Sequence, residues 1–168
     1  MTTTRSAKSA PKKATLGGKF IIGWREWVRM PELGAPPIKA KIDTGARTSA
    51  LHAYRIRPFE KNGVAYVEFF IHPVQRRKKP EIRCEAPVKE QRRVTSSTGH
   101  SEMRYVIETM AEIGAEKLMI EVTLTNRDQL GFRMLIGREA VRDKFVIDPG
   151  RSYCAGRSAE KSYSKDKK

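Results

Sequence analysis

The chain has 168 residues, a length suited to one domain, with 39% hydrophobic residues and a net charge of +15. No apolar run approaches the ~18 residues that span a membrane, and residues 1–18 lack the apolar stretch of a secretory signal. Cys84 and Cys154 stand 70 positions apart and make no disulfide framework, so a cytoplasmic protein without membrane contact is expected. Residues 1–18 carry four basic and no acidic residues, and residues 155–168 five basic and two acidic, which leaves +8 on 19–154. A basic body of this kind attracts polyanions: nucleic acid, ribosome or acidic peptide.

Residues 1–18 are rich in Thr, Ser, Ala, Lys and Gly. They offer too little apolar surface to offset the entropy of ordering, and read as a disordered basic arm. Residues 155–168 read as a disordered basic tail, and both carry the charge of nucleic-acid arms. Between them, residues 19–154 form one domain. Phe20 to Trp24 is a short apolar strand, and Trp27-Val28 leads into a loop marked by Pro31, Gly34, Pro36 and Pro37. Trp24 and Trp27 are expected in the core or at a dimer seam. Ile38-Lys39-Ala40-Lys41-Ile42 alternates apolar with basic, as a half-buried strand does. Asn62-Gly63 is a strong hairpin signal and joins 53–59 to 64–72. Residues 75–93 hold eight basic and three acidic residues and read as a long polar connection, a binding loop or cover. A second hairpin turns near Gly114, with Leu118, Ile120, Val122 and Leu124 on one face of its second arm. A strand over 132–136 ends at Gly137, residues 138–144 allow one or two helical turns, and Phe145-Val146-Ile147 is stopped by Asp148-Pro149-Gly150. Short strands, regular turns and almost no helix predict a mainly β fold, a small barrel or sandwich. No internal repeat is obvious.

Chemistry concentrates at Ile42-Asp43-Thr44-Gly45-Ala46. A carboxylate there ends a strand and faces a cleft, and Gly45 lets the backbone turn tightly and approach a second chain. Peptide hydrolysis by carboxylates needs two of them a few ångströms apart sharing one proton. One takes a proton from a water and the other donates to the carbonyl oxygen. The tripeptide alone arises by chance in roughly one chain in ten of this length.

The order strand, Asp-Thr-Gly-Ala, hairpins, Leu135-Ile136-Gly137-Arg138, short helix and final strand resembles the retropepsin-like aspartic peptidases. The blocks GWREWV, IKAKIDTGARTSALHA, RCEAP, SSTGHSEMRYVI, GFRMLIGREA and FVIDPGRSY are similar to a bacterial family often labelled ATP-dependent zinc proteases and associated with ATP-grasp glutamate ligases. The resemblance implies a homodimer in which Asp43 of each subunit forms the dyad, because this chain holds one Asp-Thr-Gly and Asp148-Pro149-Gly150 lacks the hydroxyl. It implies that Thr44 braces the two loops and that Gly45 and Ala46 meet the substrate backbone. It also implies that Gly137 lets its strand pass beneath the loop, with Arg138 following. It further implies a small closed β-barrel and a flap before Arg104, its tip at residues 96–101 with Gly99 and His100. Viral members pair an acid after the Ala with the Arg after the later Gly. Here that position is Arg47, which opposes Arg138, so a new partner is needed. Arg47 is then expected to face the cleft and bind an acidic side chain or a terminal carboxylate.

The family label names zinc and ATP, but no His-Glu-x-x-His, Cys-x-x-Cys or phosphate-binding Gly-x-x-x-x-Gly-Lys-[Ser/Thr] is present. His52, His72, His100, Cys84 and Cys154 are scattered, so no metal or other cofactor is expected. The leading expectation is an aspartic endopeptidase acting on acidic or glutamylated protein tails, with an ATP-grasp glutamate ligase as a candidate partner. The alternatives are a non-catalytic module that docks on a glutamate ligase, ribosome or RNA through 75–93, and a zinc-dependent peptidase.

Overall fold

The computed structural model describes residues 15–126 and 131–157. The chain forms twelve strands among these residues: β1 (Thr15–Leu16), β2 (Lys19–Gly23), β3 (Arg25–Val28), β4 (Ile38–Asp43), β5 (Ser49–His52), β6 (Tyr54–Lys61), β7 (Val64–Ile71), β8 (Ile82–Thr95), β9 (Ser101–Ile113), β10 (Glu116–Thr125), β11 (Met134–Gly137) and β12 (Phe145–Asp148). A single turn of 3-10 helix covers Pro31–Leu33 and one short helix, α1, covers Arg138–Val141. The mainly β fold with one short helix is as the sequence predicts.

Nine strands form one sheet in the order β3-β4-β11-β5-β10-β9-β8-β7-β6, and β1-β2-β12 form a smaller one. The expected closed barrel is closed only minimally. No ladder joins the sheet edges; one bridge between Arg29 and Glu112, with backbone bonds of 3.0 and 2.8 Å, brings the end of β3 onto β9. Strands β8, β7 and β6 continue past that ring as an arm. Ile22, Val28, Met30, Ile38, Leu51, Ile107, Leu124 and Ile136 fill the interior with almost no exposure. Burying each such side chain contributes about 1.5–3 kcal/mol.

Both hairpins form where the turn residues place them. Lys61 opposes Val64 across Asn62 and Gly63, whose φ values of 51° and 77° suit a two-residue hairpin turn. Gly114, with φ of 61°, turns β9 into β10. On β10, Leu118, Ile120, Val122 and Leu124 are buried as the alternation predicts, while Thr123 and Thr125 are buried on the other face beside β9. The expected long connection over 75–93 is a correction. Only 72–81 is irregular, and β8 runs for fourteen residues. Its inner half alternates Ile82, Cys84, Ala86 and Val88. Its outer half is held by cross-strand pairing with β9 and by ion pairs of Lys89 and Arg92 with Glu121 on β10, at 2.6 and 3.1 Å. Charged residues therefore stand on a strand where polarity suggested a loop.

Of the expected arm, residues 1–14 lie outside the described residues, and Thr15–Leu16 pair with β2. Of the expected tail, 158–168 lie outside them, and Ala155 is tied down by Glu26. Glu26 is wholly buried, and its carboxyl oxygens accept backbone N–H groups from Gly23 (2.9 Å), Cys154 (2.9 Å) and Ala155 (2.8 Å). One side chain thus joins β2, β3 and the segment after β12. Trp27 packs beside it on Tyr153, ring centroids 6.2 Å apart, while Trp24 meets the edge of Phe132. Replacing Glu26 with Ala leaves three backbone donors unmet and is expected to cost about 3 kcal/mol, read by urea unfolding. Glu26→Gln, which keeps one acceptor oxygen, should lose clearly less.

Candidate active site

The site grows from two parallel strands. β4 and β11 lie side by side with Asp43 opposite Gly137, so the carboxylate emerges at the end of a ladder. The chain then turns sharply: Gly45 N–H donates to Asp43 Oδ1 at 3.0 Å and Ala46 N–H to the Asp43 carbonyl at 3.2 Å. The loop returns over β11, where Arg138 N–H donates to the Ala46 carbonyl at 2.8 Å and Gly137 N–H to Ser49 Oγ at 3.1 Å. A Cβ on Gly137 would lie 2.6 Å from the Thr48 carbonyl carbon, so only glycine fits beneath the loop.

Asp43 opens onto a cleft of about 660 Å³. Gly45, Ala46 and Arg47 line it from the loop, and Ser96 and Ser97 from the β8–β9 turn. Arg92, Arg93, Arg104, Arg133 and His52 line it as well, so five guanidinium groups face one carboxylate. Thr44, Gly99, His100, Gly137 and Arg138 do not line it. Thr44 is exposed at the tip of the loop, while Gly137 and Arg138 support the loop from below. The β8–β9 turn is closed by Ser96 N–H to the His100 carbonyl (2.8 Å) and Gly99 N–H to the Ser96 carbonyl (2.9 Å). It presents its serines rather than His100 to the cleft.

Arg47 finds a partner the sequence did not name. Its Nε lies 2.8 Å from Glu139 Oε1 on α1, and this guanidinium holds the Glu139 carboxyl below its ordinary range. Arg138 instead donates to the Gly45 carbonyl at 3.3 Å. The loop-to-helix ion pair is therefore present with its charges exchanged. Both groups are largely exposed, so solvent screens the pair. Arg47 lines the cleft while already bonded to a carboxylate of its own chain.

A second turn repeats the first. β12 runs parallel to β2 with Asp148 opposite Gly23. Gly150 N–H donates to Asp148 Oδ1 at 2.9 Å, Arg151 N–H to the Asp148 carbonyl at 3.3 Å, and Trp24 N–H to the Arg151 carbonyl at 2.9 Å. Gly23 lies beneath that loop even more tightly than Gly137 beneath its own. The internal repeat that the sequence hides is thus structural, and Pro149 does not disturb it. The turn uses the N–H groups two and three residues after the Asp, not the one Pro lacks. Asp148 does not line the cleft.

The histidines and cysteines stay apart. Among the described residues no three of His, Cys, Asp and Glu come together in a metal-binding group. His52 and His72 flank Tyr54, with ring centroids 6.4 and 4.6 Å from it. Burial pushes the Cys84 thiol up to about 11 and raises that of Cys154.

Residues 21–158 match the family described as the retropepsin-like aspartic endopeptidase RimB. The chain belongs to that family. It is 49% identical over 142 residues to a probable alpha-L-glutamate ligase of Shewanella pealeana, covering 84% of this chain and 31% of the ligase. Against a probable alpha-L-glutamate ligase of Desulfotalea psychrophila it is 44% identical over 147 residues, covering 88% and 32%. The chain thus spans about a third of the length of the ligases it matches. The crystal structure of Lpg0085, a Legionella pneumophila protein of unknown function, aligns with a TM-score of 0.66 at 26% identity, covering 80% of this chain and 97% of that one. No helix among the described residues is long and apolar enough to cross a membrane.

The close passage at Gly137 gives a direct test. Gly137→Ala must displace the Arg47–Thr48 backbone and is expected to destabilise the fold by about 2 kcal/mol, seen as a lowered midpoint in thermal unfolding. An unchanged midpoint would show that the loop yields freely.

Proposed function

We propose that this chain is an aspartic endopeptidase that works as a homodimer and cuts acidic, glutamate-extended protein tails. The observation that carries the reading is a single carboxylate, Asp43, placed at a strand end in a cleft that five arginines also line. Family membership supports the peptidase class. Similarity to one third of glutamate ligases supports a substrate that carries added glutamates, and a glutamate ligase as partner.

The chemistry needs a second carboxylate, and a twofold arrangement supplies it from the partner subunit's Asp43. Two such groups at close range share one proton. The ionised one takes a proton from a water, whose oxygen attacks the scissile carbonyl. The protonated one donates to the carbonyl oxygen as the tetrahedral centre forms. Collapse moves a proton to the amide nitrogen, the C–N bond breaks, and the pair again holds one proton. The Gly45 N–H at Asp43 Oδ1 fixes the carboxylate plane, leaving its other oxygen for water. Thr44 is exposed at the loop tip, which supports a role for it in meeting its own copy across the axis.

A peptide bearing terminal glutamates, incubated with wild type, Asp43→Asn and Asp148→Asn and read by mass spectrometry, tests the reading. Wild type and Asp148→Asn should cut it, with or without chelator, and Asp43→Asn should be slower by at least ~10²-fold. Specific activity should fall on dilution as dimers dissociate. Equal cleavage by Asp43→Asn would sink the proposal. Binding of the peptide or ligase without cleavage by any variant would favour a docking module.

A further inference from the structure

We infer that Arg76-Arg77-Lys78-Lys79 form an exosite, a second binding site outside the cleft that holds the acidic stretch of a peptide whose scissile bond lies at Asp43. The inference rests on the endopeptidase reading above and concerns where such a substrate is gripped.

Along β6 to β10 and at the Asp43 loop, several cations are matched by carboxylates. Arg57 and Arg83 share Glu68, Lys61 reaches Glu85, Lys89 and Arg92 reach Glu121, Arg104 reaches Glu102, and Arg47 reaches Glu139. The four consecutive cations at 76–79 are all exposed and make no ion pair among the described residues. Inside the cleft Arg93 is likewise without a carboxylate partner among them.

The tetrad is also anchored in place. Gln75 on one side donates to the Gly131 carbonyl, and Glu81 on the other accepts from the Tyr54 hydroxyl. Burial, and then that bond, push the Tyr54 hydroxyl up to about 12. The Arg77 carbonyl accepts from Arg133 at 3.3 Å, and Arg133 is the buried arginine of the cleft wall. The guanidinium of a cleft-wall residue thus reaches the backbone of the cationic loop. Arg77 N–H closes a turn onto the Val74 carbonyl at 3.2 Å, and Arg76 holds φ at 61°, a conformation glycine would adopt more easily.

A glutamate-rich extension leaving the cleft on the Arg133 side meets this loop. Salt limits such attraction to about 8 Å at physiological strength, so only acidic residues that reach the loop contribute. Each exposed contact is weak, and affinity grows with the number of them made on one tethered chain. The loop holds no aromatic side chain on which a base could stack, and its attachment is to the cleft wall, which favours peptide over RNA.

The test compares Asp43→Asn with the same protein also carrying Arg76→Gln, Arg77→Gln, Lys78→Gln and Lys79→Gln. Fluorescence anisotropy reads binding of labelled peptides that share a cleavage segment and carry two or eight glutamates, the longer run extending about 26 Å. The quadruple change should weaken the eight-glutamate peptide about tenfold and flatten its salt dependence, leaving the two-glutamate peptide within about twofold. Equal loss for both peptides, or no loss for either, overturns the exosite. Loss of binding to an RNA oligonucleotide with peptide affinity unchanged assigns the loop to nucleic acid instead. If wild type cuts neither peptide, the endopeptidase reading fails, and the binding comparison still decides the exosite on its own.

Discussion

One close passage governs this molecule: the loop after Asp43 crosses the end of β11 with backbone against backbone, and Gly137 is the residue that permits it. Without that approach the Ala46 carbonyl could not accept from Arg138, nor Ser49 from Gly137. The loop would then be an ordinary surface turn with a mobile carboxylate. With it, Asp43 stands on a rigid base of two parallel strands, which suits chemistry that tolerates little misplacement. α1 starts directly after Gly137, so the same constraint also positions Glu139 to meet Arg47.

Much of this was legible in the sequence, because the signals were local. Asn62-Gly63 and Gly114 dictate turns by the φ they must adopt, and the alternation in β4 and β10 fixes which faces are buried. The Asp-Thr-Gly-Ala segment was visible because a strand followed by a tight turn has few sequence solutions. What escaped depends on neighbours distant in the chain. The outer half of β8 is polar on both faces and is a strand because Glu121 and the β9 ladder hold it. Glu26 looked like one acid among many, yet it is buried because the nearby Gly23 N–H and two N–H groups from one remote segment, Cys154 and Ala155, converge on it. The Arg47–Glu139 pair spans 92 positions and replaces an expected pairing that like charges forbid. Flap placement came from resemblance, whereas which tip residues reach the cleft depends on how the turn closes. Ser96 and Ser97 line it and His100 does not.

The charge distribution has a division of labour that totals conceal. With 34 basic and 19 acidic residues, the chain cannot neutralise every cation. Its carboxylates stand mainly along β7 to β10 and on α1, where guanidinium and ammonium groups crowd the scaffold. Glu121 serves two of them, and Lys89 above all holds its carboxyl below the ordinary range. Paired arginines of this kind stiffen the cleft walls, because each guanidinium is fixed in a plane by its acid. Among the described residues, the cations without a carboxylate partner include Arg93 in the cleft and the run at 76–79. Net charge alone could not have distinguished a sticky surface from an arranged one.

The second Asp-x-Gly turn, at Asp148, has a consequence for how such domains arise. The same backbone solution, an aspartate capping its own turn above a glycine of a parallel strand, occurs twice in one small chain. Of the two, Asp43 lines the cleft described above and Asp148 does not. The motif is therefore first an architectural joint, a way to end two parallel strands cleanly and send the chain back across them. A lineage that uses the joint for bracing holds a carboxylate already oriented by a backbone amide. Asp148 keeps the joint while lying outside that cleft, so the turn braces two parallel strands whatever its carboxylate faces.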